Sequence, residues 1–183
     1  NDAPAIKASD IGIGMGITGT EVSKSVADII LVDDSFSTIV SAVKEGRRIY
    51  ANIIKSIHFL ISSNIGEIIT IFTAMCFGWA TPLLPIQLLW VNLVTDSLPA
   101  VALGMDKAEK DIMEKPPVSD NGNIFSGGLG IRIALEGCMI GLLALLAFAI
   151  GHVYFDLGVG YAYGRTMAFA VLSISQLVHA FNM

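Results

Sequence analysis

The chain has 183 residues, 54% of them apolar and only 15% charged, with a mean hydropathy of +0.69. That composition excludes an ordinary water-soluble domain; no nucleic-acid partner is expected, and the net charge of −5 says less than where the basic residues fall. It predicts a mostly α fold, a polytopic bundle of four transmembrane helices set in membrane lipid and preceded by a short cytoplasmic α/β segment.

In chain order, Ile11–Met15 is a short apolar run, Thr18 and Glu21 have capping-box spacing for a helix over about 20–28, and Ile29–Val32 reads as a buried strand. Asp33, Asp34 and Ser35 then supply N-cap chemistry for a helix with apolar positions at Phe36, Ile39, Val40 and Val43. Nothing stops that helix before the membrane, so residues 35–78 are expected to form one nearly unbroken rod. Tilting its cytoplasmic end would displace the polar residues it carries into the bilayer.

Gly14, Gly16 and Gly19 fit G-x-G-x-x-G, with Asp33 following at a strand end as a dinucleotide fingerprint would require. The pattern lacks a full parallel strand before it and a second βα unit after it, which argues against a nucleotide cofactor.

Four apolar stretches, about 56–78, 84–104, 130–150 and 165–183, are each long enough to cross hydrocarbon. Lys44, Arg47, Arg48 and Lys55 precede the first, and Lys107, Lys110, Lys115 and Arg132 fill the connection between the second and third. The positive-inside rule therefore places residues 1–50 and 105–129 in the cytoplasm and turns the loop 151–164 outward. The expected divisions are 1–43, a cytoplasmic portion; 44–104, a stalk and two spans; 105–129, a cytoplasmic loop; and 130–183, two further spans. Cys76 and Cys138 read as small apolar groups, and His152 and His179 as packing or interfacial residues, since neither has a second His at ligand spacing. Without an initiator Met or signal peptide, the sequence reads as a segment of a longer chain.

The chemistry lies in the first two spans. Asn64 and Glu67 lie three residues apart on one, and Asn92, Thr95 and Asp96 at i, i+3 and i+4 on the other. An ionised acid at a helix centre costs roughly 2.5–3.5 kcal/mol to insert, so Glu67 and Asp96 mark an ion path, a proton relay or a buried pair. Pro99 removes a backbone donor and obstructs the carbonyl of residue 95, which favours a break in the helix beside Asp96. With no membrane-embedded Lys or Arg paired to them, the two acids call for an external cation, though protons would neutralise them as well. Oxygen donors suit Ca2+, with Mn2+ an alternative, and the lack of soft ligands disfavours copper or zinc at these positions.

Several strings resemble the P-type cation-transporting ATPases, most closely the calcium-transporting pumps. Asn1-Asp2-Ala3-Pro4, followed by Ser9-Asp10-Ile11-Gly12-Ile13-Gly14-Met15-Gly16, is similar to the end of their HAD-like phosphorylation domain. Leu60 to Glu67 and Pro85 to Ala100 resemble their fifth and sixth membrane helices. Asp111-Ile112-Met113-Glu114-Lys115-Pro116-Pro117 matches the cytoplasmic connection after that sixth helix, and Arg165 to Ala170 the start of the eighth.

The resemblance implies ATP-driven cation transport through an aspartyl-phosphate intermediate in a longer parent, with ATP and Mg2+ bound mainly by parts absent here and the fragment inactive alone. It places Asn1 and Asp2 in the phosphoryl-transfer site. Asn64, Glu67, Thr95 and Asp96 would line one Ca2+ position, with Asn92 and Asp96 serving a second. Gln176 stands where the two-ion reticulum-type pumps carry Glu, which weakens the case for two ions per cycle. Pumps for Mn2+, Na+/K+ or H+ and a non-ATPase cation transporter are the alternatives.

Overall fold

The structure is a computed structural model that describes residues 2–117, 125–156 and 160–183. Asn1 and parts of both predicted loops, 118–124 and 157–159, lie outside the described residues. The chain divides into two compact units, one of residues 1–48 with 108–115 and the other of residues 49–107 with 116–183.

The smaller unit begins with helix α1 (Ala3–Ala8), strand β1 (Ile13–Met15), helix α2 (Glu21–Val26) and strand β2 (Ile29–Leu31). The strands pair in parallel, Ile13 opposite Ile29 and Met15 opposite Leu31, so α2 is the crossover of a small βαβ unit. Thr20, not Thr18, caps α2, its hydroxyl accepting from the Ser23 amide at 3.2 Å. Thr18 is drawn elsewhere: its amide and hydroxyl both donate to Asp34 Oδ2, at 2.7 Å each, and the Ile17 amide donates to Asp34 Oδ1 at 2.9 Å.

Those bonds run through the loop that carries the glycine motif. Amides that would cradle a pyrophosphate are already held by a carboxylate of the same chain, while Asp33 accepts from the Ser35 amide and the Thr38 hydroxyl. Gly19 is needed for close approach, because a Cβ there would lie 2.0 Å from the Met15 carbonyl oxygen. Asp34, at φ +49°, latches this loop to the start of the next helix.

The Ile17 amide bond, followed by the bonds from Thr18, holds the Asp34 carboxyl below its ordinary value of 3.8. A lowered folded-state pKa contributes stability above the unfolded value that is lost as pH falls below it. We expect Asp34→Ala to speed exchange of the Ile17 and Thr18 amides at neutral pH, and acidification below 3.8 to do the same in the parent after correction for intrinsic rates. Unchanged protection in both would remove the latch.

Helix α3 runs without interruption from Phe36 to Cys76, 41 residues and about 60 Å at 1.5 Å per residue. It matches the expected rod of 35–78 to within two residues. The second span comprises α4 (Pro85–Trp90), a wide π-turn (Val91–Asp96) and α5 (Ser97–Gly104). Here the expected break does not occur. The chain stays helical through Pro99 and absorbs the missing donor by widening the turn before it, while the Ser97 hydroxyl donates to the Asn92 carbonyl at 3.0 Å.

Helices α6 (Leu129–Tyr154) and α7 (Ala162–Phe181) complete the larger unit. Among the described helices, three are long and apolar enough to cross a membrane: Phe36–Cys76, Pro85–Gly104 and Leu129–Tyr154. The fourth expected span, α7, is twenty residues long but carries Arg165, Thr166, Ser173, Ser175, Gln176 and His179, and it falls outside that group. Its N-terminus is capped from a distance: the Asp156 carboxylate accepts from the amides of Tyr163 and Gly164 at 2.8 and 2.9 Å.

Within this unit α3 meets α6 backbone to backbone. A Cβ on Gly141 would sit 2.8 Å from the Gly66 carbonyl oxygen, and one on Gly137 would sit 2.6 Å from an Ile65 methyl. Gly137 and Gly141 form a G-x-x-x-G stripe, the small-residue pattern by which membrane helices pack closely. Gly141→Ala should therefore destabilise the detergent-solubilised protein by about 1–3 kcal/mol of overpacking. Gly46→Ala, on an α3 position with no atom within 4 Å of the added Cβ, should be neutral or stabilising. Equal thermal midpoints for the two variants would contradict this packing.

Candidate functional site

The buried face of α3 in the membrane comprises Phe59, Ser62, Ser63, Gly66, Glu67, Thr70 and Ala74. This is the i, i+3, i+4 stripe of a helix packed on one side. Glu67 is therefore enclosed by neighbouring helices. The Asn92 amide, from the π-turn, donates to Glu67 Oε2 at 3.0 Å, and the Gln176 amide, from α7, approaches Glu67 Oε1 at 3.4 Å. Two neutral donors from two helices thus face the two oxygens of one acid.

Asp96 lies at the last position of the π-turn, 1% exposed, and Thr95 beside it is also buried. Neither carboxylate oxygen of Asp96 has a hydrogen-bond partner among the described residues. The same holds for Gln176 Oε1 and for Ser63 Oγ. Buried polar atoms are nearly always partnered, because an unsatisfied one costs about 1–3 kcal/mol and a charged one more. Unpartnered carboxylate, carboxamide and hydroxyl oxygens are the kind of atom a hard cation takes, six to eight at a time.

The wide turn explains how Thr95 and Asp96 reach the interior together with Asn92's bond to Glu67. A π-turn inserts an extra residue into the helical repeat, rotating the residues beyond it and loosening the backbone ladder; such turns recur at functional sites. Asn92 keeps a second bond from its amide to the Leu88 carbonyl at 3.0 Å, which fixes its orientation toward Glu67.

Of the predicted residues, the structure joins Glu67, Asn92 and Gln176 by hydrogen bonds and buries Thr95 and Asp96 in the same unit. Asn64 is exposed, its amide donating to the Leu60 carbonyl at 2.7 Å on the outer side of α3. Asp2 is exposed and precedes α1 without capping it by its side chain, and Asn1 is outside the described residues.

Sequence reasoning missed Ser63, which precedes Glu67 by four residues and shares its buried stripe; that i, i+4 spacing was the available signal. It also missed a second polar cluster. His58 Nε2 lies 2.5 Å from Glu136 Oε2, His179 Nε2 lies 3.7 Å from the same oxygen, and the Ser62 hydroxyl is 2.7 Å from His179 Nε2. His179 thus has a second histidine beside it, supplied by another helix at no recognisable sequence spacing. His152, by contrast, packs on Tyr161 with ring centroids 4.6 Å apart.

Residues 80–183 match the family model described as cation transporting ATPase, C-terminus. The whole chain aligns with calcium-transporting ATPase 1 of Bacillus cereus at 50% identity and with the calcium-transporting ATPase of Bacillus subtilis at 51%, covering 22% and 20% of those proteins. Over 83% of its length it is 51% identical to the endoplasmic reticulum-type calcium-transporting ATPase 2 of Arabidopsis thaliana, covering 14% of that protein. The chain therefore spans about a fifth or less of the length of these curated relatives.

Proposed function

We propose, from the premise that this chain belongs to the cation-transporting ATPases, that it carries the ion-binding helices of an ATP-driven divalent-cation pump whose cargo is Ca2+. The observation that carries this reading is the buried Asp96 carboxylate with both oxygens unpartnered, in the same unit as a Glu67 whose oxygens face two neutral amides. A cation at that place supplies the positive charge that no described Lys or Arg brings to Asp96. Glu67, Asn92, Thr95, Asp96 and Gln176 are its ligands; Asn64, exposed here, joins only if α3 rotates.

The donor chemistry separates Ca2+ from its rivals. Carboxylate, carboxamide and hydroxyl oxygens are hard ligands, and Ca2+ accepts them in flexible geometry at 2.3–2.6 Å. Gln176 contributes a neutral oxygen where a carboxylate would add charge, which favours one Ca2+ per cycle over two.

The smaller unit supplies the link to ATP. Asp2 presents an exposed carboxylate that serves as one hard ligand of the phosphoryl-transfer Mg2+; near-octahedral Mg2+ needs further ligands, which in this reading come from the rest of a longer pump together with ATP and the phosphorylated aspartate. Bound there, Mg2+ supplies charge neutralisation at the transferring phosphoryl group. Residues 1–50 and 105–129 face the cytoplasm. Because α3 is continuous from Phe36 to Cys76, a tilt of its first turns moves Glu67. Spin-label distances from α3 to the other helices of the larger unit should change between the phosphorylated and dephosphorylated protein, and an unchanged orientation of α3 would sink this coupling.

The experiment that tests the function is ATP-driven uptake by the full-length protein in sealed vesicles, with Ca2+, Mn2+, Na+ and K+ compared. We expect Ca2+ uptake, one ion for each ATP. Uptake that persists without ATP would mean a secondary transporter, and uptake of a monovalent ion would overturn the assignment of cargo.

A further inference from the structure

The second polar cluster is built of different chemistry from the Glu67 and Asp96 site and is not used by it. His58 of α3, Glu136 of α6 and His179 of α7 each turn one ligand atom toward the others, all within 4.8 Å of one another. We infer that these three side chains form a binding site for a transition-metal ion of the zinc class, which would tie α3, α6 and α7 together.

The geometry supports three ligands and one open position. Ligand atoms on a tetrahedral zinc with bonds of 2.0–2.1 Å stand about 3.3 Å apart. The His179 to Glu136 distance is 3.7 Å and the His58 to Glu136 distance is 2.5 Å, so a shift of under about 1 Å opens the second pair to accommodate an ion. The two histidine rings stand edge to face, 80° apart with centroids at 5.9 Å, so their Nε2 atoms converge on the carboxylate from different directions. Both histidines are buried, at 6% and 7% exposure, which keeps bulk water from competing for the metal.

Surrounding groups fix the ligands. Arg132 donates to Glu136 Oε1 at 2.9 Å, which orients the carboxylate and leaves Oε2 toward the histidines. Arg132 brings a positive charge that opposes a cation, but its side chain is 65% exposed and its field is correspondingly screened. The Ser62 hydroxyl lies 2.7 Å from His179 Nε2 and is itself bonded to the carbonyls of His58 and Phe59, so it swings away at small cost or offers an oxygen to the fourth position.

Ligand type separates the two sites. Two imidazole nitrogens and one carboxylate suit Zn2+, with Co2+ as a spectroscopic substitute, whereas Ca2+ takes oxygen. His58 precedes Glu67 by nine residues on the same helix, about 13 Å of rise, so an ion at each is held without shared ligands. The inference does not depend on which cation is transported.

The test is calorimetric titration of zinc-free, detergent-purified full-length protein with Zn2+ in saturating Ca2+. We expect one Zn2+ site that weakens at least about 100-fold in His58→Gln and in His179→Gln, since each loses one of three ligands. His152→Gln should bind as the parent does. Co2+ should give the intense visible absorption of a tetrahedral site, lost in the same two variants. Failure of the parent to take up Zn2+, or unchanged binding in both cluster variants, overturns the site. Should those variants not fold, the zinc-edge X-ray absorption spectrum of the parent decides: two imidazole nitrogens with oxygen support the inference, and sulfur or all-oxygen ligation overturns it.

Discussion

Asp96→Asn in the full-length protein is expected to abolish Ca2+-stimulated phosphorylation by ATP at concentrations that saturate the parent. The substitution keeps size and shape and removes one charge. In the folded chain that charge is 1% exposed and neither oxygen is held by a described donor, so it is satisfied chiefly by whatever cation arrives. The amide offers a single neutral oxygen in place of two anionic ones. A loss on the order of 100-fold in Ca2+ affinity corresponds to about 2.7 kcal/mol, modest for removing a buried charge from a cation's ligand shell. Folding should survive, because an uncharged Asn is cheaper to bury than an unpaired Asp. Phosphorylation that retains its Ca2+ dependence in this variant would take Asp96 out of the site.

How much of this was legible in the sequence depends on the range of the interactions. The length of α3 followed from a run of helix formers without a stop, and the two acids stood out because charge in an apolar stretch is costly wherever its partners are. The membrane-spanning character of Leu129–Tyr154 needed only composition. Interactions between distant segments were not legible. The capture of Thr18 by Asp34 overrode a local capping pattern, since a carboxylate sixteen residues away competes on equal terms once the strands pair. Pro99 was read as a break because its clash is local, but the helix relieved it by widening the preceding turn. The spacing of Asn64 and Glu67 suggested one face, yet at a separation of about 60° around the helix, the boundary between interior and exterior runs between them. His58, Glu136 and His179 have no sequence relation at all and meet only because α3, α6 and α7 pack together. The G-x-x-x-G stripe of Gly137 and Gly141 was present as a pattern, but its partner helix became identifiable only through Ile65 and Gly66.

Glu67→Gln should be nearly as damaging as the Asp96 change, for an added reason that the hydrogen bonds make specific. The amides of Asn92 and Gln176 each turn a donor toward Glu67, so the position demands an acceptor at both oxygens. A glutamine supplies one acceptor and one donor, leaving two donors face to face on one side besides removing the charge. We expect Ca2+ affinity to fall on the order of 100-fold or more. Exchanging the pair, Glu67→Gln with Asn92→Asp, restores an acid opposite an amide and one negative charge between α3 and the π-turn. It should recover about tenfold over Glu67→Gln alone, or about 1.4 kcal/mol, measured by Ca2+ dependence of phosphorylation. Full recovery is not expected, because the carboxylate moves from α3 to the π-turn and leaves the buried position that Glu67 held. A double variant no better than Glu67→Gln would mean that Asn92 and Glu67 act separately on the ion, and that the bond between them only packs two helices.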